Sequence, residues 1–89
     1  MGLHESHPAI IKRLKRTSGH LASVVKMLEA QRGCLEIAQQ LHAVEMAVAN
    51  AKKALVKDHI DHCLEHAVAG GGKRAKDSIA EFKAITKYL

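Results

Sequence analysis

Apolar residues recur at helical spacing along three segments of the chain. In the first segment they fall close to three- and four-residue steps, the spacing that lines one face of an amphipathic helix. These residues are Ile10, Ile11, Leu14, Leu21, Val24, Val25 and Leu28. Pro8 suits the first turn of such a helix, and Gly33 is a candidate for its end. The pattern predicts a first helix over residues 7–31.

The second segment is the longest of the three. Neither Gly nor Pro occurs between Cys34 and Val68, so nothing in this stretch favours a break in a helix. Its apolar residues again follow helical steps and include Leu35, Ala38, Leu41, Val44, Val48, Ala51, Leu55 and Leu64. The pattern predicts one helix over residues 34–68, roughly 50 Å long at about 1.5 Å per residue.

A glycine-rich stretch, residues 69–74, separates the second segment from the third. The apolar residues on one side of the third segment are Ile79, Phe82, Ile85 and Leu89. Ser78 and Glu81 have the spacing of a capping box, which is typical of a helix start. We predict a third helix over residues 73–89 and a flexible arm over residues 1–6.

The composition supports an all-α fold that needs a partner. The 89 residues include one Phe, one Tyr and no Trp, so the core must be aliphatic, and the chain is short enough for residues 1–89 to form a single domain. We expect the first helix to fold back along part of the second as an antiparallel hairpin, and one such chain cannot cover the rest of so long a helix. We expect an α-helical homodimer or a dimer of dimers.

The charge permits a nucleic-acid partner but does not establish one. The net charge is +5, and the basic residues of the first helix cluster as Lys12, Arg13, Lys15 and Arg16. Such a run is most often the solvated side of a helix, and no aromatic residues alternate with it for base stacking. No stretch is long and apolar enough for a membrane span, and no secretory signal is present. We expect a cytoplasmic protein whose two cysteines are thiols.

The stretch DHIDHCLEH, residues 58–66, is rich in metal-ligating side chains. At about 100° per residue, His59, His62, Cys63 and His66 share one arc of a helix. The i, i+4 spacing of His59 and Cys63 suits two ligands of one ion. A single histidine would more often be an ordinary polar surface residue. A His-x-x-x-Cys pair in so dense a cluster instead favours a metal site.

Two ligands rarely make a selective site, and the only other cysteine is Cys34. It opens the predicted second helix, roughly 37 Å along the axis from His59 at about 1.5 Å per residue. One chain cannot bring these residues to one ion, but two antiparallel helices can. A two-fold dimer would then have two sites, each with Cys34 from one chain and His59 and Cys63 from the other. Alternatively, Cys34 is a small buried apolar residue or a reactive thiol.

Several stretches match one known family over nearly the whole chain. The spacing of Cys34, His59 and Cys63 is similar to its sensor fingerprint. RLKRTSGH (13–20) resembles its Arg-Leu-x-Arg-x-x-Gly-Gln motif, and QQLHAVEMAVANAKKAL (39–55) resembles the core of its second helix. On these residues the chain resembles the CsoR/RcnR family of bacterial metal-responsive repressors.

The resemblance implies a three-helix protomer that forms antiparallel dimers, which pair into flat tetramers. It implies binding to operator DNA without a helix-turn-helix motif, and release of that DNA when the effector binds. Metal and DNA would then weaken each other's binding by the same factor.

The resemblance also assigns roles to residues. It implies that Cys34, His59 and Cys63 are the metal ligands. Our own hypothesis is that Glu81, as a neighbour of the ligands, links metal binding to DNA. The residues implied to contact DNA are Lys12, Arg13, Lys15 and Arg16. His20 stands where many members have Gln, and it is a DNA contact, a secondary ligand or neither.

The effector metal remains a choice between two classes. Two cysteines and a histidine form a soft set that suits trigonal Cu(I), as in the copper-sensing members. The nickel- and cobalt-sensing members add a nitrogen near the N-terminus, for which this chain offers His4 and His7. His62 and His66 are further possible ligands. The resemblance is slightly closer to the nickel/cobalt branch, with copper nearly level.

We therefore expect a transcriptional repressor that binds operator DNA in its metal-free form. Binding of Ni(II)/Co(II) or Cu(I) would release the DNA and derepress genes for metal efflux or resistance. The alternative is a cytosolic metal buffer or chaperone with no role on DNA. We do not expect an enzyme, because the sequence suggests neither an oxyanion-binding loop nor a substrate pocket.

Overall fold

The computed structural model describes residues 6–69 and 72–89, except for the side chains of residues 66–69, 73 and 74. The helices are α1 (His7–Glu29), α2 (Cys34–Ala69) and α3 (Lys73–Ile85), and a short 3₁₀ helix (Thr86–Tyr88) follows α3. No strand occurs among the described residues, so the predicted all-α, three-helix fold is confirmed. None of the described helices is both long and apolar enough to cross a membrane.

The first helix ends at Glu29, two residues before the predicted boundary. Gln31 adopts a left-handed backbone conformation with φ 58°. The backbone N–H groups of Gln31 and Arg32 donate to the carbonyls of Leu28 (3.1 Å) and Met27 (3.0 Å). These bonds form a Schellman-type end, in which Gln31 occupies the position that glycine usually takes.

Gly33 caps the start of the second helix and does not end the first. Its carbonyl accepts a hydrogen bond from the N–H of Ile37 at 3.0 Å, which is the first bond of α2. Gly33 is therefore the residue immediately before the helix, and Cys34 is the first residue within it.

Residues 8–52 form one compact unit, made of α1 and the first half of α2. Its core contains Val24 from α1 and Ile37 and Val44 from α2, with Met27 packed against them. His20 contacts Gln40, whereas Arg13, earlier on α1, lines a cavity with Ala47 and Asn50, which come later on α2. Contacts that move backward along α1 as they advance along α2 define antiparallel helices, so the predicted hairpin is confirmed.

The second compact unit contains the last part of α2, together with α3 and the 3₁₀ helix. Val56, Cys63 and Ser78 are buried here. The capping box predicted at Ser78 is wrong, because α3 begins five residues earlier, at Lys73. Gly72 precedes it with φ 63° and provides no side-chain cap. Glu81 consequently lies well inside α3.

A row of large apolar side chains on α1 stays exposed in the single chain. Between 41% and 56% of each is accessible to solvent. The apolar row comprises Ile11, Leu14, Leu21, Val25 and Leu28. It is separate from Val24, which faces α2, so α1 has apolar residues on more than one side.

Candidate metal centre

A histidine, a thiol and a carboxylate converge where α2 and α3 pack together. The i, i+4 spacing puts His59 and Cys63 on one face of α2, and Glu81 approaches from α3. Nε2 of His59 lies 2.8 Å from Oε2 of Glu81. One potential ligand atom from each residue lies within 4.8 Å of those of the other two. This is the only such group of three among the residues that the structure describes.

The three side chains differ sharply in burial. Cys63 is 4% exposed, whereas the side chains of His59 and Glu81 are 26% and 65% exposed. Burial raises the pKa of the Cys63 thiol, and the negative charge of Glu81 raises it further. The thiol is therefore protonated at neutral pH, and a metal ion that binds its sulfur must displace the proton.

Cys34 is not a member of this group. It is the first residue of α2 and is exposed, and it belongs to the compact unit of residues 8–52. The predicted pair His59 and Cys63 is thus brought together within one chain, without the third predicted ligand.

The extra histidines predicted as ligands fall in different places. His7 is the first residue of α1 and is half-buried, and His62 is a half-buried residue of α2 outside the three-residue group. His4 and the side chain of His66 lie outside the described residues. The hydroxyl of Ser6 donates to Oδ2 of Asp58 at 2.7 Å. That hydrogen bond holds the residue before His7 against the turn of α2 that carries His59.

The basic residues predicted to contact DNA are exposed along α1. Arg13 and Arg16 line a cavity between α1 and α2 that Lys12 and Lys15 do not line. His20 lines the same cavity, and its Nε2 lies 2.6 Å from Oε1 of Gln40.

Sequence reasoning did not identify two of these contacts. Nothing in the pattern singles out Gln40, a polar residue in a run of helix, as a partner of His20. The direct contact between Glu81 and His59 could not be predicted either, because a glycine-rich connection does not fix how α3 lies along α2.

Comparison with known proteins places these features in a family. The family model described as "Metal-sensitive transcriptional repressor" matches residues 6–88. The copper-sensing transcriptional repressor RicR of Mycobacterium tuberculosis is 34% identical over 78 residues, which cover 88% of this chain and 81% of that protein. The copper-sensing transcriptional repressor CsoR of Bacillus subtilis is 36% identical over 80 residues, 88% of this chain and 79% of the relative.

A solved structure has the same fold. The nickel-responsive transcriptional regulator InrS superposes with a TM-score of 0.83 at 29% identity, over 100% of this chain and 99% of the other. The chain belongs to the family of metal-sensitive transcriptional repressors, which confirms the resemblance to the CsoR/RcnR family. It is, accordingly, a metal-responsive repressor of transcription.

Proposed function

We propose that the metal-free protein binds operator DNA in the cytoplasm and releases it when a transition metal ion binds, which derepresses genes for metal efflux or resistance. The observation that carries this proposal is the convergence of His59, Cys63 and Glu81 between α2 and α3. It joins two potential metal ligands on one helix to a carboxylate on another, so metal binding at α2 acts on the packing of α3.

The donor atoms suit a thiophilic metal. In this proposal Cys34 of a second copy completes the set with His59 and Cys63. A thiolate pair with one imidazole is soft, and the burial of Cys63 keeps water from its sulfur. Glu81 lies against Nε2 of His59. A carboxylate behind a ligating imidazole fixes the ring orientation and raises its basicity.

The apolar row on α1 supports the assembly of the chain with a second copy of itself. The residues of this row are separated by three, seven, four and three positions, the spacing of helices that pack side by side. They are Ile11, Leu14, Leu21, Val25 and Leu28. Leaving five such side chains in water is unfavourable, and an identical chain offers the same surface in return. We propose an antiparallel homodimer that pairs into a tetramer.

The effector is Cu(I) or Ni(II)/Co(II), and the number of ligands separates these candidates. Cys34, His59 and Cys63 alone form a trigonal site, the preference of Cu(I). Nickel or cobalt requires a further nitrogen, from His4 or His7. The hydrogen bond between Ser6 and Asp58 supports a contribution from this end of the chain. The copper-sensing relatives support Cu(I) as the effector, and the nickel-responsive InrS supports Ni(II).

In this proposal, Glu81 couples metal binding at α2 to the affinity of the protein for DNA. Metal held by His59 would strengthen the hydrogen bond between this ring and Glu81, because a ligated imidazole is a better donor. The packing of α3 on α2 then differs between the two states. Because metal and DNA are linked through one equilibrium, each weakens the binding of the other by the same factor.

DNA binding with and without metal tests the proposal. Fluorescence anisotropy on the gene's own upstream region should show binding by the metal-free protein at low salt and release by Cu(I), Ni(II) or Co(II). Cys34→Ala should bind the DNA normally but no longer release it with metal. His42→Ala, which changes an exposed histidine of α2 whose Nδ1 lies 3.6 Å from Glu45, should be released like the wild type.

Two results would contradict the proposal in different ways. If the metal-free protein fails to bind the DNA at low salt, the proposed binding of the metal-free form to this operator is wrong. If metal still releases Cys34→Ala, the assigned ligand set is wrong while repression stands.

A further inference from the structure

A cavity of about 320 Å³ opens where α2 and α3 pack together. It lies within the compact unit that contains α3. An engineered apolar cavity of about 150 Å³ holds a benzene molecule, so this one has room for an organic molecule roughly twice as large. The described residues that line it are Cys63, Leu64, Ser78, Ile79, Phe82 and Lys83.

The cavity adjoins the candidate metal centre but lies on another side of it. Cys63 belongs to both, whereas neither His59 nor Glu81 lines the cavity. At about 100° per residue, Ile79 is turned about 160° from Glu81 around α3, and Leu64 is turned about 140° from His59 around α2. The cavity and the metal centre therefore face different sides of the contact between the two helices.

The wall of the cavity is mainly apolar and partly open to solvent. Cys63 is only 4% exposed, but 51% of Leu64 and 47% of Ile79 remain accessible, and Phe82 is half-buried. Water in such a concavity finds few hydrogen-bond partners. Replacing that water with an apolar group is favourable, because apolar surface is then removed from solvent on both sides.

The second copy in the proposed dimer does not face this opening. Cys34 and Cys63 are separated by 29 positions, which at about 100° per residue places them within about 20° of each other on α2. The partner's helix therefore approaches along the direction of Cys63. Leu64, at the opening of the cavity, is turned about 100° away from that direction.

Lys83 places a positive charge at the opening. Its methylene stem lines the cavity, and the side chain is exposed, so the ammonium group reaches water. Among the described residues, no carboxylate forms an ion pair with Lys83. An apolar cavity with one cation at its opening matches a molecule that has an apolar body and one negative end.

We propose that this cavity binds a small organic acid, in which one carboxylate pairs with Lys83 and an apolar chain or ring lies against Ile79 and Phe82. Binding at this site needs neither metal nor DNA, so it goes beyond the proposed function. A ligand held there contacts Cys63 and α3, which are both parts of the candidate metal centre.

Titration with octanoate tests the site. The methyl signals of Leu64 and Ile79 are followed by NMR in the whole metal-free chain, below the concentration at which octanoate forms micelles. We expect saturable shifts at both residues. Ile79→Ala shortens an apolar side chain of the wall and should weaken binding by about tenfold, measured at Leu64. Leu89→Ala makes a similar change at an exposed residue outside the cavity and should bind like the wild type.

Octylammonium, which has the same chain and the opposite charge, tests the role of Lys83. The wild type should bind it about two- to fivefold more weakly than octanoate, since an exposed ion pair contributes modestly. Lys83→Glu should reverse this preference. Lys76→Glu makes the same change of charge at an exposed site of α3 outside the cavity and should keep the preference for octanoate. Circular dichroism establishes that each variant keeps its helices.

Three results would overturn the proposal. Shifts that do not saturate, or that occur equally along the apolar row of α1, would show only non-specific partition of the chain. A preference for octanoate that survives in Lys83→Glu would contradict the carboxylate. Signals of Leu64 and Ile79 that respond to protein concentration but not to octanoate would assign the cavity to a second copy. Because no arm uses DNA or metal, failure of the proposed function would leave these results unaffected.

Discussion

Cys63 is both deeply buried and a potential metal ligand. Burial and the nearby Glu81 both raise its pKa, so the protein keeps it as a neutral thiol until a metal ion arrives. Glu81 acts on both neighbours, because it also contacts Nε2 of His59. One carboxylate thus orients the imidazole and holds back the ionisation of the thiol.

Glu81→Gln should lower the pKa of the Cys63 thiol, because it removes a negative charge that disfavours the thiolate. Ultraviolet absorbance of the thiolate measures this, in a Cys34→Ser background where Cys63 is the only cysteine. The midpoint of this thiolate titration should lie at lower pH in Glu81→Gln than in its parent. Glu65→Gln, which removes an exposed charge from α2, should leave it in place. Equal midpoints in Glu81→Gln and its parent would contradict the contact between α2 and α3.

At the scale of elements, the helical periodicity was sufficient to predict α1, α2 and their antiparallel packing. The ends were harder to predict, because they depend on single residues. Gly33 is the obvious helix terminator in the sequence, yet Gln31 adopts the left-handed conformation that ends α1. Ser78 has the spacing of a capping residue, yet α3 starts at Lys73 without a side-chain cap. Local sequence signals do not decide between such neighbouring alternatives, whereas the packing of the helices does.

Gln31→Gly should stabilise the protein. A residue with a side chain costs roughly 1–2 kcal/mol in the left-handed conformation, and glycine avoids that cost while losing some chain entropy. We expect a net gain of about 0.5–1 kcal/mol in the free energy of unfolding, measured by urea denaturation. Gln39→Gly, at an exposed site inside α2, should instead destabilise by about 1 kcal/mol. A loss of stability in Gln31→Gly would show that its backbone is not strained.

At the scale of the whole molecule, the sequence leads us to expect that the chain assembles with a second copy. The length of the predicted second helix against 89 residues was enough to expect a partner. The candidate metal ligands were predictable as a pair, since His59 and Cys63 are one helical turn apart. A role for Glu81 could only be hypothesised from the sequence, because its contact with His59 depends on the packing of α3.

Leu21→Glu should break the assembly that we propose. Burying one leucine contributes about 1.5–3 kcal/mol, and a two-fold interface contains it twice. Light scattering during size-exclusion chromatography should show a smaller species than the wild-type protein. Ser23→Glu adds the same charge at an exposed site outside the apolar row and should leave the assembly intact. A wild-type protein that is monomeric at all concentrations would contradict the dimer.

In the proposed metal site, the raised pKa of Cys63 makes metal binding depend on acidity. Each metal ion that takes this sulfur must expel a proton, so the apparent metal affinity falls by roughly tenfold for each unit that the pH drops. The concentration of metal that switches the genes on would therefore rise as the cell interior becomes more acidic. A repressor with the proposed ligand would respond to the ratio of free metal to protons rather than to free metal alone.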